Sequence, residues 1–345
     1  MKILFRITKR KLALVTFLIL FSMACFGEKL ANLKELLKPV NLAMDPYISQ
    51  FYVTEGASIY IYSLADCNLK AKFGKAGEGP QEFRIIQGSD GLTVLPLKDS
   101  LLINSISRLS FFTKDGAFIK ELNTGIGFMA MRFQPIGNGY AALGIVMDEK
   151  TTAFSLNLYN DKFEQTRVIQ KIKAAQRGLL QFPMISPIFY IADDKIISME
   201  DENFLINVFD KDGNKVSSIT REYERIIVTE DYIKEVHDFY KNSPNYKQFY
   251  ESIKNMFQFS RYFPAIQTFL VADKKVYIQT YLKENGKDEF FIYELNGKFL
   301  KRLFLPVVYR NSLKPFPYTI MNNRLYQLIE NEDAEVWELH AEKIE

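Results

Sequence analysis

The chain has 345 residues, of which 48% are hydrophobic and 14% aromatic, enough for one large packed core. Its formal net charge is only +3, and the basic start of the chain supplies part of it, so a nucleic-acid-binding protein is not expected. With 2 cysteines and 2 histidines, the sequence excludes a disulfide scaffold and the familiar zinc-binding spacings.

Residues 1–27 have the pattern of a secretory signal peptide. A lysine- and arginine-rich start precedes an apolar run over 12–21, which is too short for a permanent membrane span. Cleavage before Cys25 would leave a cysteine that can carry lipid, as in bacterial lipoproteins, although Ser22 stands where Leu is usual. The alternative is simple cleavage nearby, for example after Gly27.

These features predict an exported protein, either periplasmic or anchored to the bacterial outer membrane by lipid on Cys25. We expect no other contact with the membrane. Residues 28–38 have the composition of a tether, and residues 39–345 are predicted to form one folded unit.

Six hairpin signals organise residues 39–345. Each signal is an aromatic residue followed by polar residues, often with Asp-Gly or Asn-Gly, and then an apolar return. The first residues of the six signals are Tyr62, Phe112, Tyr159, Phe209, Tyr293 and Trp337. They recur at about 44 to 50 residues, apart from one interval of about 84, which is typical of β-propeller blades. Asp-Gly and Asn-Gly suit tight hairpins because both central residues can take positive φ.

A second series of polar turns keeps the same phase and is assigned to the link between the first and second strands of each blade. Its members include Asp99, Asn138, Asp193, Asp273 and Asn322. Two series in phase favour an all-β, six-bladed β-propeller over an all-β sandwich with frequent turns. The predicted blades cover 39–73, 83–122, 129–169, 183–219, 264–305 and 315–345. A strand from near the mature N-terminus could complete the last blade.

A glycine-rich segment follows the first blade. After Lys72-Phe73-Gly74 the chain reads Gly77-Glu78-Gly79-Pro80-Gln81-Glu82-Phe83. This segment resembles the GxGPGEF-like loop of exported bacterial six-bladed propellers related to NHL-repeat proteins, with Gln81 in place of the second Gly. The resemblance implies the fold and export, and it implies little about biochemical role.

The physical interpretation of this segment is mainly structural. We expect Glu82 to accept hydrogen bonds from loop amides and Phe83 to fill the space between two blades. The segment lacks the spacings of a P-loop or a dinucleotide-binding loop. Ligand binding through Glu78 and Glu82 is the alternative.

The long interval predicts a short α-helical insertion between blades four and five, at about 229–257. Thr229 has the features of an N-cap, and Pro244 those of the first residue of a second helix. The insertion is either a cap packed on the blade edges or a lid and partner-binding surface over the propeller mouth. The candidate binding residues are His237, Tyr240, Tyr246 and Tyr250, although His237 alone is typical of an exposed helical residue.

Blade topology places the insertion on the same side as a set of acidic turns. These turns contain Asp148, Glu149, Glu200, Asp201, Glu202, Asp288, Glu289, Glu330, Glu332 and Asp333. Clustered around a channel, these turns could bind a cation such as calcium, or a basic partner. Glu200, Asp201 and Glu202 are the candidate ligand- or partner-binding residues among them, and no metal ligand is assigned. The alternative is that hairpin tips are acidic because they are solvated. No other cofactor is expected.

The sequence therefore favours a non-catalytic propeller at the cell envelope, which binds an envelope protein or a small ligand whose identity the sequence does not give. No catalytic residue is assigned. The alternative function is a metal-assisted hydrolase, lactonase or lyase of the six-bladed class, with acidic loops at the tunnel mouth.

Overall fold

The computed structural model describes residues 27–79, 81–85, 91–127, 130–147, 149–184, 187–200, 202–311 and 313–345. These parts of the chain form six four-stranded sheets and two further strand pairs. Each of the six sheets is antiparallel throughout, which is the arrangement expected of strands joined by short turns. The predicted all-β fold is confirmed.

The strands are numbered along the chain. The first part contains β1 (Glu28–Leu33), β2 (Asn41–Met44), β3 (Gln50–Glu55), β4 (Ser58–Ser63), β5 (Leu69–Phe73), β6 (Thr93–Pro96), β7 (Leu101–Ser105), β8 (Arg108–Phe112) and β9 (Phe118–Asn123). The middle part contains β10 (Ala130–Ile136), β11 (Gly139–Met147), β12 (Thr151–Tyr159), β13 (Gln165–Gln176), β14 (Leu180–Phe182), β15 (Phe189–Ala192), β16 (Lys195–Met199), β17 (Leu205–Phe209) and β18 (Lys215–Thr220).

The helices come next, with α1 (Glu230–Asn242), α2 (Tyr250–Ile253) and a 3-10 turn at Lys254–Met256. The last part contains β19 (Phe257–Phe259), β20 (Thr268–Ala272), β21 (Lys275–Glu284), β22 (Lys287–Glu294), β23 (Phe299–Leu305), β24 (Tyr309–Asn311), β25 (Lys314–Pro315), β26 (Tyr318–Met321), β27 (Arg324–Asn331) and β28 (Val336–Lys343).

The six sheets stand around a central axis as propeller blades. The inner strands β2, β6, β10, β15, β20 and β26 lie side by side around this axis, and β10 reaches the second sheet through β7. Each cleft between neighbouring sheets is filled by its own apolar cluster; Phe83, for example, is fully buried between the first and second sheets. The structure therefore confirms the six-bladed β-propeller.

The ring is closed by the start of the described chain. Strand β1 pairs with β28, so that Glu28 lies opposite Ala341 and Leu33 opposite Trp337. The completion of the last blade by a strand from near the mature N-terminus is thus confirmed, whereas the tether predicted over 28–38 is wrong for 28–33, which are the outer strand of the sixth sheet. The reason is physical: β28 would otherwise present an unpaired edge, and Leu33 would lose its place in the cleft between the sixth and first sheets.

The turns of both series are where the sequence predicts them, except that Trp337 lies in β28 and no hairpin follows it within the described residues; the geometry of the two series differs. Asn322 and Asn323 both take φ near 52°, as a two-residue hairpin between first and second strands requires. In the Asp-Gly turns only the glycine takes positive φ, for example Gly116 at 91°. The expected pair of positive φ values is therefore wrong there, because these longer turns end in a left-handed glycine next to a β-bulge.

The helical insertion between the fourth and fifth sheets is confirmed. Thr229 is the N-cap of α1, and its side chain accepts a hydrogen bond from the Tyr232 amide at 3.2 Å. The second helix begins at Tyr250 rather than at Pro244, because residues 244–249 form turns, in which the Tyr246 and Lys247 amides donate to the Ser243 carbonyl and the Phe249 amide donates to the Tyr246 carbonyl. Within the described residues, no helix has the length and apolarity needed to cross a membrane.

Candidate binding face

The ring has two different sides. The connection face carries the links between successive sheets, which follow β5, β9, β13, β18 and β23. The turn face carries the turns between first and second strands and between third and fourth strands. Since strands alternate in direction within each sheet, the cap and the links from β13 and β23 must lie on one side of the ring.

The helical insertion is attached to the link between the third and fourth sheets. Strand β14 in that link pairs in parallel with β19, which places Phe182 opposite Phe259. The Phe182 ring also contacts Tyr240 and Phe257, with ring centres 5.7 and 5.2 Å apart. We call residues 229–259 the cap.

The cap has an apolar core of its own. Phe182, Val236 and Tyr240 are buried in it, and Leu313 from the link between the fifth and sixth sheets packs against it. Burial raises the pKa of Tyr232 to about 12, as expected for a phenol in a dry environment. The cap therefore contacts the links on either side of its own, and so joins three consecutive links on the connection face.

The predicted binding residues of the cap are brought together. The Tyr250 hydroxyl lies 3.1 Å from Nδ1 of His237, whose ring packs on Phe257. Tyr240 and Tyr246 pack ring against ring at 4.9 Å. His237 was expected to be exposed, but it is half-buried because α1 rests on β19 through this side. These four residues hold the cap together, and their role in binding stays a prediction.

The cap also leaves apolar surface uncovered. Phe249, which directly precedes α2, has 52% of its surface exposed and stands beside the half-buried Tyr250. The outer side of α1 carries four exposed acids and two lysines. These residues are Glu230, Asp231, Glu235, Asp238, Lys234 and Lys241. An exposed aromatic on a fixed support has the features of a contact surface, and the outer side of α1 adds net negative charge to the same cap.

The glycine-rich segment behaves as the physical interpretation predicts. Glu82 accepts a hydrogen bond from the Gly79 amide at 2.8 Å and pairs with Lys75 at 2.8 Å. The Lys75 hydrogen bond is the main reason that the pKa of Glu82 is lowered. Glu78 pairs with Arg84, and its carbonyl accepts a hydrogen bond from Arg108 at 2.7 Å. Both carboxylates are thus engaged in holding the loop.

The acidic turn of the fourth sheet is tied to the base of the cap. The Glu200 carboxylate accepts a hydrogen bond from Asn207 at 2.5 Å, and Glu202 lies 3.9 Å from Arg225, in the link that leads into the cap. The Glu202 carbonyl also accepts a hydrogen bond from the Ala265 amide. Asp201 and Cys25 lie outside the described residues.

The position predicted for two acids of the fifth sheet is wrong. Asp288 and Glu289 were expected at a solvated turn, but both lie in β22 and each is only 1% exposed. The turn itself is Asn285-Gly286, with φ of 52° and 75°. The Asn-Gly dipeptide is a strong hairpin signal that could have located the turn correctly.

Asp288 is the centre of a buried polar network between the fifth and sixth sheets. Its carboxylate accepts hydrogen bonds from Gln279 at 2.7 Å and from Tyr309 at 2.8 Å. Tyr318 donates to the same Gln279. Burial raises the pKa of Asp288, although Lys283, 3.4 Å from its other oxygen, acts in the opposite direction. Sequence reasoning missed this network, since the glutamine and tyrosines give no local signal.

Glu289 faces the other way, as adjacent residues of a strand do. It accepts hydrogen bonds from Thr280 at 2.6 Å, from Tyr223 at 3.0 Å and from Arg302 at 2.6 Å. Tyr223 belongs to the link that leads into the cap, so Glu289 fixes the root of the cap to the fifth sheet. The two acids thus connect one blade to both of its neighbours.

The arrangement of acids bears on the metal hypothesis. Among the described residues, no three His, Cys, Asp or Glu side chains are grouped as a metal site requires. On the turn face, an open depression between the fourth and fifth sheets is lined by Asp193, Asp194, Asp210 and Asp212. Asp210 is committed to its own turn, where it accepts hydrogen bonds from the Asn214 amide and side chain.

Comparison with known proteins gives similarity of fold only. No protein-family model matches the chain, and no curated protein matches it. A protein of Bacteroides fragilis NCTC 9343, provisionally named as exported, aligns with a TM-score of 0.46 and 10% sequence identity. The alignment covers 92% of this chain and 95% of the Bacteroides chain. Hsv2 of Kluyveromyces lactis aligns with a TM-score of 0.38 and 11% identity, over 89% of this chain and 99% of its own.

Proposed function

We propose that the chain is an exported, non-catalytic propeller scaffold, held at the bacterial envelope by lipid on Cys25, which binds a partner protein through the cap. The basic and apolar leader supports export. The observation that carries the binding role is the fixed position of Phe249. The cap core holds this exposed ring on a support that reaches three links.

The chemistry of the cap surface indicates the partner. Phe249 and the edge of Tyr250 offer apolar contact, and the exposed acids of α1 outnumber its lysines. Charges around an apolar contact select partners by complementarity. The partner is therefore expected to place an apolar side chain on Phe249 and basic residues against the outer side of α1.

The proposal is tested by capture from envelope extract with immobilised protein. Phe249→Ser should reduce recovery of the specific partner by at least about tenfold if the ring is a hot spot. The matched control is Val216→Ser, which changes a side chain with the same 52% exposure on the outer strand of the fourth sheet. Equal recovery by the wild type and by Phe249→Ser would contradict the proposal.

A further inference from the structure

We infer that, in the anchored protein, the turn face at the junction of the sixth and first sheets lies against the lipid bilayer and presents Tyr47 and Ile48 to it. The cap then points away from the membrane. This inference rests on the lipid anchor of the proposed function and adds to it a membrane-contacting surface.

The direction of β1 decides where an anchor would enter. Strand β1 runs antiparallel to β28, with Glu28 opposite Ala341. Further along β28, Lys343 lies opposite Arg324, directly after the Asn322-Asn323 turn. The chain therefore enters the sixth sheet from the turn face, and β1 runs from there towards the connection face.

There is almost no free chain between the anchor position and this sheet. The Gly27 carbonyl oxygen lies 3.1 Å from Nδ1 of His340, and a β-carbon at Gly27 would lie 2.4 Å from the Ala341 oxygen. Gly27 is thus packed on the sheet. Two further residues reach back to Cys25 and span at most about 7 Å when extended. A lipid on Cys25 would hold this end of the sixth sheet beside the bilayer.

The neighbouring turn of the first sheet carries exposed apolar residues on the same face. Strand β2 contacts β26, and the turn that follows β2 leaves Tyr47 55% exposed and Ile48 37% exposed. Tyrosine is favoured at the membrane interface, where its ring is apolar and its hydroxyl stays hydrated.

This turn is held rigidly. Asp45 is almost fully buried, and one carboxylate oxygen accepts hydrogen bonds from the amides of Tyr47 and Ile48 at 2.9 and 3.3 Å. The other oxygen accepts from the Tyr52 hydroxyl at 2.7 Å and from Lys114 at 2.6 Å. The backbone of the turn is therefore held in place, and Tyr47 keeps 55% of its surface exposed although the Lys114 ammonium lies 5.2 Å from its ring centre.

The test uses the lipidated full chain in vesicles of phosphatidylethanolamine, phosphatidylglycerol and a nitroxide lipid. In a Cys67→Ser background, an environment-sensitive dye is attached at Ile48→Cys or, on the cap, at Phe249→Cys. The dye at position 48 should be quenched at least about twofold and the dye at 249 left unchanged, since the nitroxide acts only near the interface. A Cys25→Ala chain should show quenching at neither position.

Two results would overturn the inference. The first is quenching at position 249 without quenching at position 48. The second is a mature chain whose mass shows no lipid on Cys25, because nothing would then hold the turn face at the membrane. Partner capture through the cap is measured separately with unanchored protein, so failure of the orientation can be distinguished from failure of the binding role.

Discussion

The Lys29 ammonium lies 3.1 Å from the Glu338 carboxylate, across 309 residues of sequence. Lys29 belongs to the strand that enters the ring and Glu338 to the strand that completes it. His340 and Asn331 also contact the same carboxylate, at 2.8 and 2.9 Å. The Glu338 carboxylate therefore binds side chains from β1, β27 and β28 at the point where the ring closes.

Glu338→Gln should weaken this closure. Burial acts to raise the pKa of Glu338, but hydrogen bonds from Asn331, His340 and Lys29 outweigh it, and the pKa is lowered from its ordinary value of 4.5. A carboxylate with a lowered pKa stabilises the fold above its unfolded pKa and loses that effect as pH falls through the folded pKa. We expect a loss of about 1 to 3 kcal/mol at pH 7 that shrinks below pH 4.5.

Urea unfolding of Glu338→Gln between pH 3.5 and 7 checks this expectation. The matched control is Glu330→Gln, an exposed acid on the adjacent β27, which should change stability by less than about 0.5 kcal/mol. A deficit that is the same at every pH would show that the charge of Glu338 is not what stabilises the closure.

Asp288 should behave in the opposite sense. Burial raises its pKa above the ordinary value of 3.8, so the folded state favours the protonated form. The resulting stability is complete below the unfolded pKa and is lost as pH rises through the folded pKa. The free energy of unfolding of the wild type, measured in urea beside that of Asp288→Asn, should therefore rise relative to the variant as pH falls from 7 to 4. A constant difference would mean that the pKa of Asp288 is not shifted by folding.

Gly74→Ala should be much more destabilising than Gly56→Ala. Both glycines have positive φ, 86° and 55°, so both substitutions strain the backbone. A β-carbon at Gly74 would lie 2.5 Å from the Ala57 oxygen and 2.6 Å from the Phe83 ring. A β-carbon at Gly56 would have no neighbouring atom within 4 Å. We expect Gly56→Ala to lower the free energy of unfolding by about 1 kcal/mol, and Gly74→Ala to lower it by about 1 to 3 kcal/mol more.

Thermal and urea unfolding of the two variants measure this difference. Similar losses would indicate that Phe83 moves aside at little cost and that the first cleft is loosely packed around it. The comparison reports mainly the steric effect, because both positions already carry positive φ.

The repeated turns could be predicted from sequence because their chemistry is local. Asn322-Asn323 and Asp193-Asp194 determine where one strand ends and the next begins without reference to the rest of the chain. The ring followed from their regular spacing. A strand from near the mature N-terminus was anticipated as the completion of the last blade, but the pairing of Lys29 with Glu338 was not, because no local feature of 28–33 marks these residues as that strand.

The candidate binding face was predictable only in part. Helical spacing located the cap, but its attachment through Phe182 and Leu313 depends on links that are distant in sequence. Acids such as Asp288 were predicted to be exposed because charged residues usually are. Burying a carboxylate costs little only when hydrogen-bond donors surround it, and here donors such as Tyr309 come from another sheet.

The cap should unfold locally when its core is damaged. Tyr240 packs on Phe182, Tyr246 and Phe257, and among the described residues it belongs to the cap cluster and to none of the clusters that fill the six clefts between sheets. Tyr240→Ala removes most of this packing and should cost the cap about 3 to 5 kcal/mol, which is enough to open a small independent unit. Amide exchange in α1, β14 and β19 should rise, while exchange in β16, β21 and β27 should stay as in the wild type.

Hydrogen exchange with mass spectrometry resolves these segments. The control is Tyr232→Phe, which keeps the ring that packs on Phe263 at 4.9 Å and should leave exchange in the cap unchanged. Faster exchange in the fourth and fifth sheets of Tyr240→Ala would show that cap and ring unfold as one unit. Exchange confined to the cap would mean that the surface around Phe249 can be removed without disturbing the propeller, as a binding module built onto a ring requires.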